Sequence, residues 1–120
     1  MKNFFNSILL ISFSLVLNAQ SVKIEQSNNE FILKVDGKDF MVNGVNWDYF
    51  PVGTNYSYSL WNQSDEFVAY ALDEEMSMLK NMGVNSIRVY TGIPKKWIEY
   101  IHSKYGIYTI SAIINTSYDS

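Results

Sequence analysis

The spacing of apolar residues along the chain changes from a strand-like to a helical period and back. Residues 31–35 alternate between apolar and mixed positions, as a half-buried strand requires. Asp36 and Gly37 follow as a candidate two-residue type I′ turn, and the apolar-rich run 40–46 predicts the next strand. The pattern therefore predicts an N-terminal β-hairpin over residues 21–38, followed by a strand that leads into a long loop.

Helical spacing begins after residue 63 and occurs twice. Ser64 predicts the N-cap of a first helix and Gly83 its C-terminal stop. Pro94 predicts the start of a second helix and Gly106 its end. The residues at helical spacing are Leu72, Met76, Leu79 and Met82 in the first helix, and Trp97, Ile101 and Tyr105 in the second.

Each predicted helix is followed by a predicted strand, over residues 84–90 and 107–113. The order strand, helix, strand, helix, strand with short turns predicts an α/β fold with parallel strands and right-handed crossovers. Three parallel strands and two helices neither close a barrel nor cover both faces of a sheet. We therefore expect the opening part of a larger α/β fold.

Residues 48–63 lack any regular period, and Pro51 and Gly53 interrupt them. Loops of this length are usually functional or disordered, and the many Tyr and Trp residues here favour an ordered loop. Aromatic rings outside a core are typical of sugar-binding proteins, because rings stack on the C–H faces of pyranoses. They also serve as loop anchors, so both interpretations stay open at this point.

Residues 1–19 have the features of a secretory signal peptide. Lys2 forms a short basic region, residues 8–17 form the apolar core, and Ala19 precedes the predicted cleavage site. The stretch is short for a membrane span; a retained N-terminal anchor is the alternative. We expect a secreted, periplasmic or cell-surface protein with no membrane span after signal removal.

The composition of the predicted mature chain, residues 20–120, disfavours several classes of function. Without Lys2, eight Lys and Arg stand against twelve Asp and Glu, a net charge of −4, which argues against nucleic-acid binding. The absence of cysteine excludes thiolate metal sites, and a single histidine, His102, argues against zinc. The segment after the first strand of the α/β region lacks a glycine-rich phosphate loop, which disfavours nucleotide binding. We expect no metal and no cofactor.

Arg88 is the one arginine of the chain, and it stands inside the apolar run "NSIRVY". Period-two alternation puts Ser86, Arg88 and Tyr90 on one face of the strand, with Ile87 and Val89 on the other. A structural ion pair and a role in a binding site are both compatible with this position.

Three segments together resemble the first quarter of a clan A glycoside hydrolase barrel: "DGKDFMVNGVNWDYFP", "DEEMSMLKNMGVNSIRVY" and "WIEYIHSKYGIYTI". The likeness is greatest to the TIM-barrel domain of glycoside hydrolase family 2 and extends to the related β-glucanosyltransferases. It spans about residues 31–110, and it implies that residues 39–113 start an incomplete (β/α)8 barrel whose chemistry lies at the C-terminal ends of the strands.

The resemblance also implies roles for individual residues. In these families the arginine at this place hydrogen-bonds the nucleophilic carboxylate, a task that suits a permanently charged, two-pronged donor, so Arg88 is expected to support the active site. Asn46, Trp47, Tyr90 and Trp61 are the expected substrate-binding residues. A turn-forming Asn46, a packing Tyr90 and loop-anchoring aromatic rings remain the alternatives.

A retaining glycosidase needs two carboxyl groups about 5 to 5.5 Å apart, and in the resembling families these follow strands four and seven. We expect the 120-residue chain to stop in or just after strand three and to lack both. The expected function is thus a fragment of a secreted glycoside hydrolase for β-linked polysaccharides or oligosaccharides, inactive alone. The alternative is a small secreted carbohydrate-binding or interaction module that uses the aromatic loop 47–61.

Overall fold

A computed structural model of the chain describes residues 20–111. The predicted signal peptide and residues 112–113 of the predicted last strand lie outside the described residues. Contacts within the chain divide it into two compact units, one up to Phe40 and one from Met41 onward.

The first unit contains a three-stranded antiparallel sheet. Its strands, in spatial order, are β1 (Val22–Ser27), β2 (Glu30–Val35) and β3 (Lys38–Asp39). Asp36 and Gly37 connect β2 to β3 with φ of 50° and 78°, which confirms the predicted turn, because a type I′ turn needs positive φ at both central residues. A second turn of this kind, between β1 and β2, was not expected: Asn28 and Asn29 have φ of 48° and 66°. Asparagine tolerates this left-handed region better than most residues.

The second unit is an α/β arrangement with the predicted order of elements. Its parallel sheet has the spatial order β4–β5–β6. The elements are β4 (Gly44–Asn46), a 3-10 turn (Leu60–Asn62), α1 (Asp65–Asn81), β5 (Ser86–Val89), α2 (Lys95–Tyr105) and β6 (Tyr108–Ser111).

The predicted helix ends are confirmed. The Ser64 side chain accepts a hydrogen bond from the Phe67 amide at 3.3 Å, which satisfies one of the free N–H groups at the start of α1. Gly83 and Gly106 have φ of 83° and 68°, the left-handed conformation that ends helices with little cost only for glycine.

The predicted apolar stripes are confirmed except at one position. Leu72 and Met76 of α1 and Trp97 and Ile101 of α2 are buried in one core. Met82 is 67% exposed, so its assignment to the stripe was wrong. The helix ends one residue before Met82, which serves as the C-cap and no longer follows the helical direction toward the core.

A strand over all of residues 40–46 was also a wrong prediction, because only Gly44–Asn46 pairs with the parallel sheet. Before it, two asparagine side chains supply most of the hydrogen bonds, beside one backbone bond from the Asn85 N–H to the Asn43 carbonyl at 2.9 Å. The Asn43 amide group donates to the Gly83 carbonyl at 2.7 Å, and the Asn85 amide group donates to the Met41 carbonyl at 2.7 Å. The Asn85 side-chain oxygen also accepts from the Asn43 backbone N–H at 2.8 Å. These bonds fix the start of β4 without strand pairing.

A polar cluster joins the two helices beside the core. Asp73 of α1 accepts hydrogen bonds from two hydroxyls of α2, that of Tyr100 at 2.8 Å and that of Tyr105. It also forms an ion pair with Lys104 at 2.9 Å. The Tyr105 bond, together with those from Lys104 and Tyr100, lowers the pKa of the Asp73 carboxyl below its usual value. Burial and the bond to Asp73 raise the pKa of Tyr105 to about 12. The cluster therefore binds α1 to α2 while Asp73 is charged and Tyr105 is neutral.

Candidate ligand-binding site at the end of the parallel sheet

The two faces of the parallel sheet have different surroundings. On one side, the covered face, Ile87 and Val89 are buried against the apolar residues of both helices. The opposite side, which we call the open face, borders a shallow cavity of about 280 Å³. The open face consists of Gly44, Asn46, Ser86, Arg88 and Ile110.

The strand register explains why these residues meet. Asn46 stands opposite Arg88, and Arg88 stands opposite Ile110, so the three side chains come from neighbouring strands at one level of the sheet. One level below, Gly44 stands opposite Ser86, and a Cβ atom at Gly44 would lie 2.5 Å from the Ser86 hydroxyl oxygen. Because glycine has no side chain, position 44 leaves room for the buried side chain of Ser86.

Arg88 is exposed on the open face. Its guanidinium carbon lies 4.8 Å from the centre of the Tyr90 ring, close enough for a cation–π contact. Among residues 20–111, no carboxylate lies within ion-pair distance of this guanidinium. Of the predicted site residues, the structure thus brings Arg88, Asn46 and Tyr90 together.

A larger cleft opens beside the C-terminal ends of β4 and β5. It has a volume of about 410 Å³, and we call it the aromatic cleft. Five aromatic rings line it, together with one carboxyl group, the hydroxyl groups of two serines and a threonine, one leucine and one glycine. The lining residues are Asp48, Tyr49, Phe50, Tyr56, Ser57, Tyr58, Ser59, Leu60, Trp61, Thr91 and Gly92.

Short local hydrogen bonds give the aromatic loop its shape. The Thr54 hydroxyl and backbone N–H both donate to the Pro51 carbonyl, at 2.6 and 3.0 Å. The Asn55 side-chain oxygen accepts from the Ser57 backbone N–H at 2.9 Å and from the Ser57 hydroxyl at 2.5 Å. Leu60 is buried and anchors the end of the loop in the core. The predicted ordered loop is confirmed for this segment, which has defined turns and ring contacts.

The predicted substrate-binding tryptophans occupy different positions. Trp61 is half-buried and lines the aromatic cleft. Trp47 is only 8% exposed, belongs to the core and lines neither cavity. Its ring centre lies 6.4 Å from that of Trp61, so Trp47 supports the cleft wall from behind. A direct contact between Trp47 and substrate stays a prediction.

The polar groups of the cleft can donate and accept hydrogen bonds at neutral pH. Burial, with a further contribution from Tyr58, raises the pKa of the Tyr49 hydroxyl, which therefore stays protonated. The Asp48 carboxylate accepts a bond from the Tyr49 backbone N–H at 2.9 Å and is otherwise exposed on the cleft wall. Rings for stacking and hydroxyl and carboxylate groups for hydrogen bonds are the combination that a sugar ring can use.

Sequence reasoning did not single out Thr91, Gly92 and Phe50, which complete the cleft wall. Thr91 and Gly92 follow Tyr90, just beyond the C-terminal end of β5. This position was the available signal, because residues after neighbouring parallel strands converge at one edge. Phe50 packs edge-on against Tyr56, with ring centres 5.4 Å apart, a contact within an irregular loop where no period applies.

Within residues 20–111 the structure shows no group of three or more potential metal ligands, and neither helix is long and apolar enough to cross a membrane. Comparison of the chain with models of known protein families, with curated proteins and with solved structures found no match. The fold of residues 41–111 is of the α/β class, with an aromatic cleft at the C-terminal ends of its parallel strands.

Proposed function

We propose that the chain is the N-terminal part of a secreted glycoside hydrolase with a (β/α)8 barrel that acts on β-linked glycans. One observation carries this proposal: among residues 20–111, an arginine without a carboxylate within ion-pair distance and an aromatic cleft occur at the same end of one parallel sheet. In barrels of this architecture that end holds the reacting groups. The likeness of three ordered sequence segments to the glycoside hydrolase barrels supports the same assignment.

The open face is the second argument for a barrel. Parallel sheets are normally covered on both faces, because their crossover helices and neighbouring strands exclude water from them. Here the helices α1 and α2 cover one face, whereas Asn46 and Arg88 are exposed on the other and Ile110 is 42% exposed. In the proposed enzyme, further strands would turn this face into the barrel interior.

The roles that follow for the complete enzyme come from the chemistry of each group. Arg88 would hold the nucleophilic carboxylate ionised and oriented with two parallel hydrogen bonds, and Tyr90 would limit the freedom of the guanidinium. Asn46 would donate to the sugar or to the same carboxylate. Trp61 and the tyrosines of the cleft would stack on sugar rings and exclude water from one side of the substrate.

A double-displacement mechanism needs an acid/base and a nucleophile, both with carboxyl groups. Of the residues that the structure describes, Asp48 is the single acid that lines the aromatic cleft, and none of the acids lines the cavity of the open face. We therefore propose that these residues bind and orient, and that the chain alone does not hydrolyse glycosidic bonds.

The test joins this chain to the coding sequence that continues it. In an extended protein with the missing strands, Arg88→Lys should lower kcat by about a hundredfold or more and change KM little. Lysine keeps the positive charge but cannot donate two parallel hydrogen bonds to one carboxylate. A matched control is Lys80→Arg at the surface of α1, which should leave kcat unchanged. An unchanged kcat in Arg88→Lys would contradict the assignment, as would adjoining DNA that encodes no further strand–helix units with glutamates at strand ends.

A second candidate is a small carbohydrate-binding module, and the volume and lining of the aromatic cleft favour it. This candidate requires a chain that unfolds cooperatively and binds glycans without any additional strands. Micromolar binding by a stable monomer would favour the module, and failure of the chain to fold without the missing strands would favour the barrel.

A further inference from the structure

Strand β1 is one edge of the antiparallel sheet of the first unit, and all six of its residues are exposed. Val22 and Ile24 are 61% and 71% exposed. The strand pairs with β2 residue by residue over its whole length, without a bulge, and it contains no proline. Edge strands are commonly protected by bulges, prolines, very short length or charged side chains. Strand β1 has none of the first three, and its two charged residues, Lys23 and Glu25, are of opposite sign.

The turn between β1 and β2 determines which backbone groups this edge presents. A two-residue turn makes the flanking residues, Ser27 and Glu30, a hydrogen-bonded pair, and hydrogen-bonded pairs then alternate along an antiparallel ladder. The bond from the Asp36 N–H to the Ser21 carbonyl, at 2.8 Å, fits this alternation. The N–H and C=O groups of Val22, Ile24 and Gln26 therefore point away from β2.

Side chains of β1 alternate between an apolar and a charged face. Val22 and Ile24 stand opposite Val35 and Leu33 on the apolar face. Lys23 and Glu25 lie on the other face and have opposite charges, two residues apart. This arrangement is self-complementary: in an antiparallel pair of β1 strands centred on Ile24, Lys23 of one strand stands opposite Glu25 of the other.

We propose that two copies of the chain associate edge to edge through β1, antiparallel, with Ile24 opposite Ile24 of the second copy. In this register the outward backbone groups of Val22 and Gln26 face each other, and Lys23 of each copy faces Glu25 of the other. The pairing joins two three-stranded sheets into one six-stranded sheet with a twofold axis at Ile24.

Charge selects this register over its neighbours. A shift by two residues in either direction also brings outward backbone groups together, but it places Lys23 against Lys23 or Glu25 against Glu25. Like charges directly opposite each other on a sheet are destabilising, whereas opposite charges are favourable. A shift by one residue would move the apolar side chains of one copy to the charged face of the other.

The association should stop at a dimer. The other edge of the sheet, β3, has only two residues and offers little for a further strand to pair with. A twofold contact between identical strands is closed, so it does not propagate into filaments. The proposal concerns the first unit and does not depend on the function proposed for the second.

The first test uses cysteine crosslinking, for which the absence of native cysteine is an advantage. Opposite residues in a hydrogen-bonded pair have Cα atoms about 5.5 Å apart, within the range of a disulfide. Ile24→Cys should therefore form a covalent dimer under mild oxidation. The control is Phe31→Cys on β2, a residue that is 72% exposed but not on the edge. Equal crosslinking of the two variants would overturn the proposal.

The second test exchanges the charges. Lys23→Glu and Glu25→Lys should each weaken the dimer about tenfold or more in sedimentation equilibrium, because each variant places like charges opposite each other twice. A mixture of the two variants should restore association as a heterodimer. A native chain that stays monomeric at all attainable concentrations would overturn the proposal, as would variants that associate unchanged or a mixture that does not recover.

Discussion

The two faces of the parallel sheet show how one short strand separates a side that stabilises the fold from a side that is exposed. In β5, Ile87 is fully buried against the helices, and its neighbour Arg88 is exposed on the open face. The apolar side supplies burial, which stabilises the fold. The polar side places Arg88 beside Asn46, with no acid among residues 20–111 within ion-pair distance of the guanidinium, and this arrangement adds little to stability.

The largest expected effect is on the covered face. Ile87→Ala should lower the free energy of unfolding by roughly 2–5 kcal/mol, because it removes buried methyl groups and leaves a cavity. Ile110→Ala, on the open face at 42% exposure, is the matched control and should cost less than about 1 kcal/mol. Chemical denaturation measures both, and equal losses would contradict the distinction between the two faces.

A smaller loss is expected where β4 and β5 approach each other on the open face. Gly44→Ala should destabilise the chain by roughly 1–3 kcal/mol, because the new Cβ would lie 2.5 Å from the Ser86 hydroxyl and 2.9 Å from the Ser86 carbonyl oxygen. Gly92→Ala is the control, since no atom lies within 4 Å of the added Cβ. Thermal unfolding of the two variants should differ clearly; a tolerated Gly44→Ala would show that the strands are not this close.

The polar cluster between the helices should contribute least among these sites. Tyr105→Phe should cost about 1 kcal/mol at pH 8, because it removes a hydroxyl that donates to the charged Asp73. The folded-state pKa of Tyr105, about 12, lies above its usual value of 10.0, so this contribution is complete below pH 10 and is lost as the pH rises toward 12.

Urea unfolding of the native chain and of Tyr105→Phe at pH 8 and pH 11 checks this dependence. The difference between the two proteins should shrink at the higher pH. Tyr70→Phe, at an exposed position of α1, is the control. A difference that grows with pH would mean that the hydroxyl is not bonded to a carboxylate.

Local chemistry made several features of both units predictable. Ser64, Gly83 and Gly106 act within one turn of the helix ends, so the residues next to each end in sequence determine where the helix begins or stops. The alternation around Arg88 similarly separated the buried from the exposed side of β5. The Asp36-Gly37 turn was predictable because few dipeptides accept positive φ at both positions.

The errors occurred where distant residues decide the structure. Residues 40–43 look like a strand, but the side chains of Asn43 and Asn85, 42 residues apart, take over the hydrogen bonding. The Asn28-Asn29 turn was missed because its signal is weaker than that of Asp-Gly. The position of Trp47 behind Trp61 depends on how the long loop folds back, which no local pattern specifies.

The aromatic cleft gives the most direct test of the account, because it predicts binding at one end of the sheet. Calorimetric titration with a panel of β-linked oligosaccharides should detect binding of at least one of them. Tyr56, which lines the cleft and is 94% exposed, can be removed without loss of core packing, so Tyr56→Ala should weaken that binding about tenfold. Tyr70→Ala on α1, 62% exposed and outside the cleft, should leave it unchanged. Equal affinity in both variants, or no binding by a folded chain to any glycan of the panel, would contradict a sugar site in this cleft.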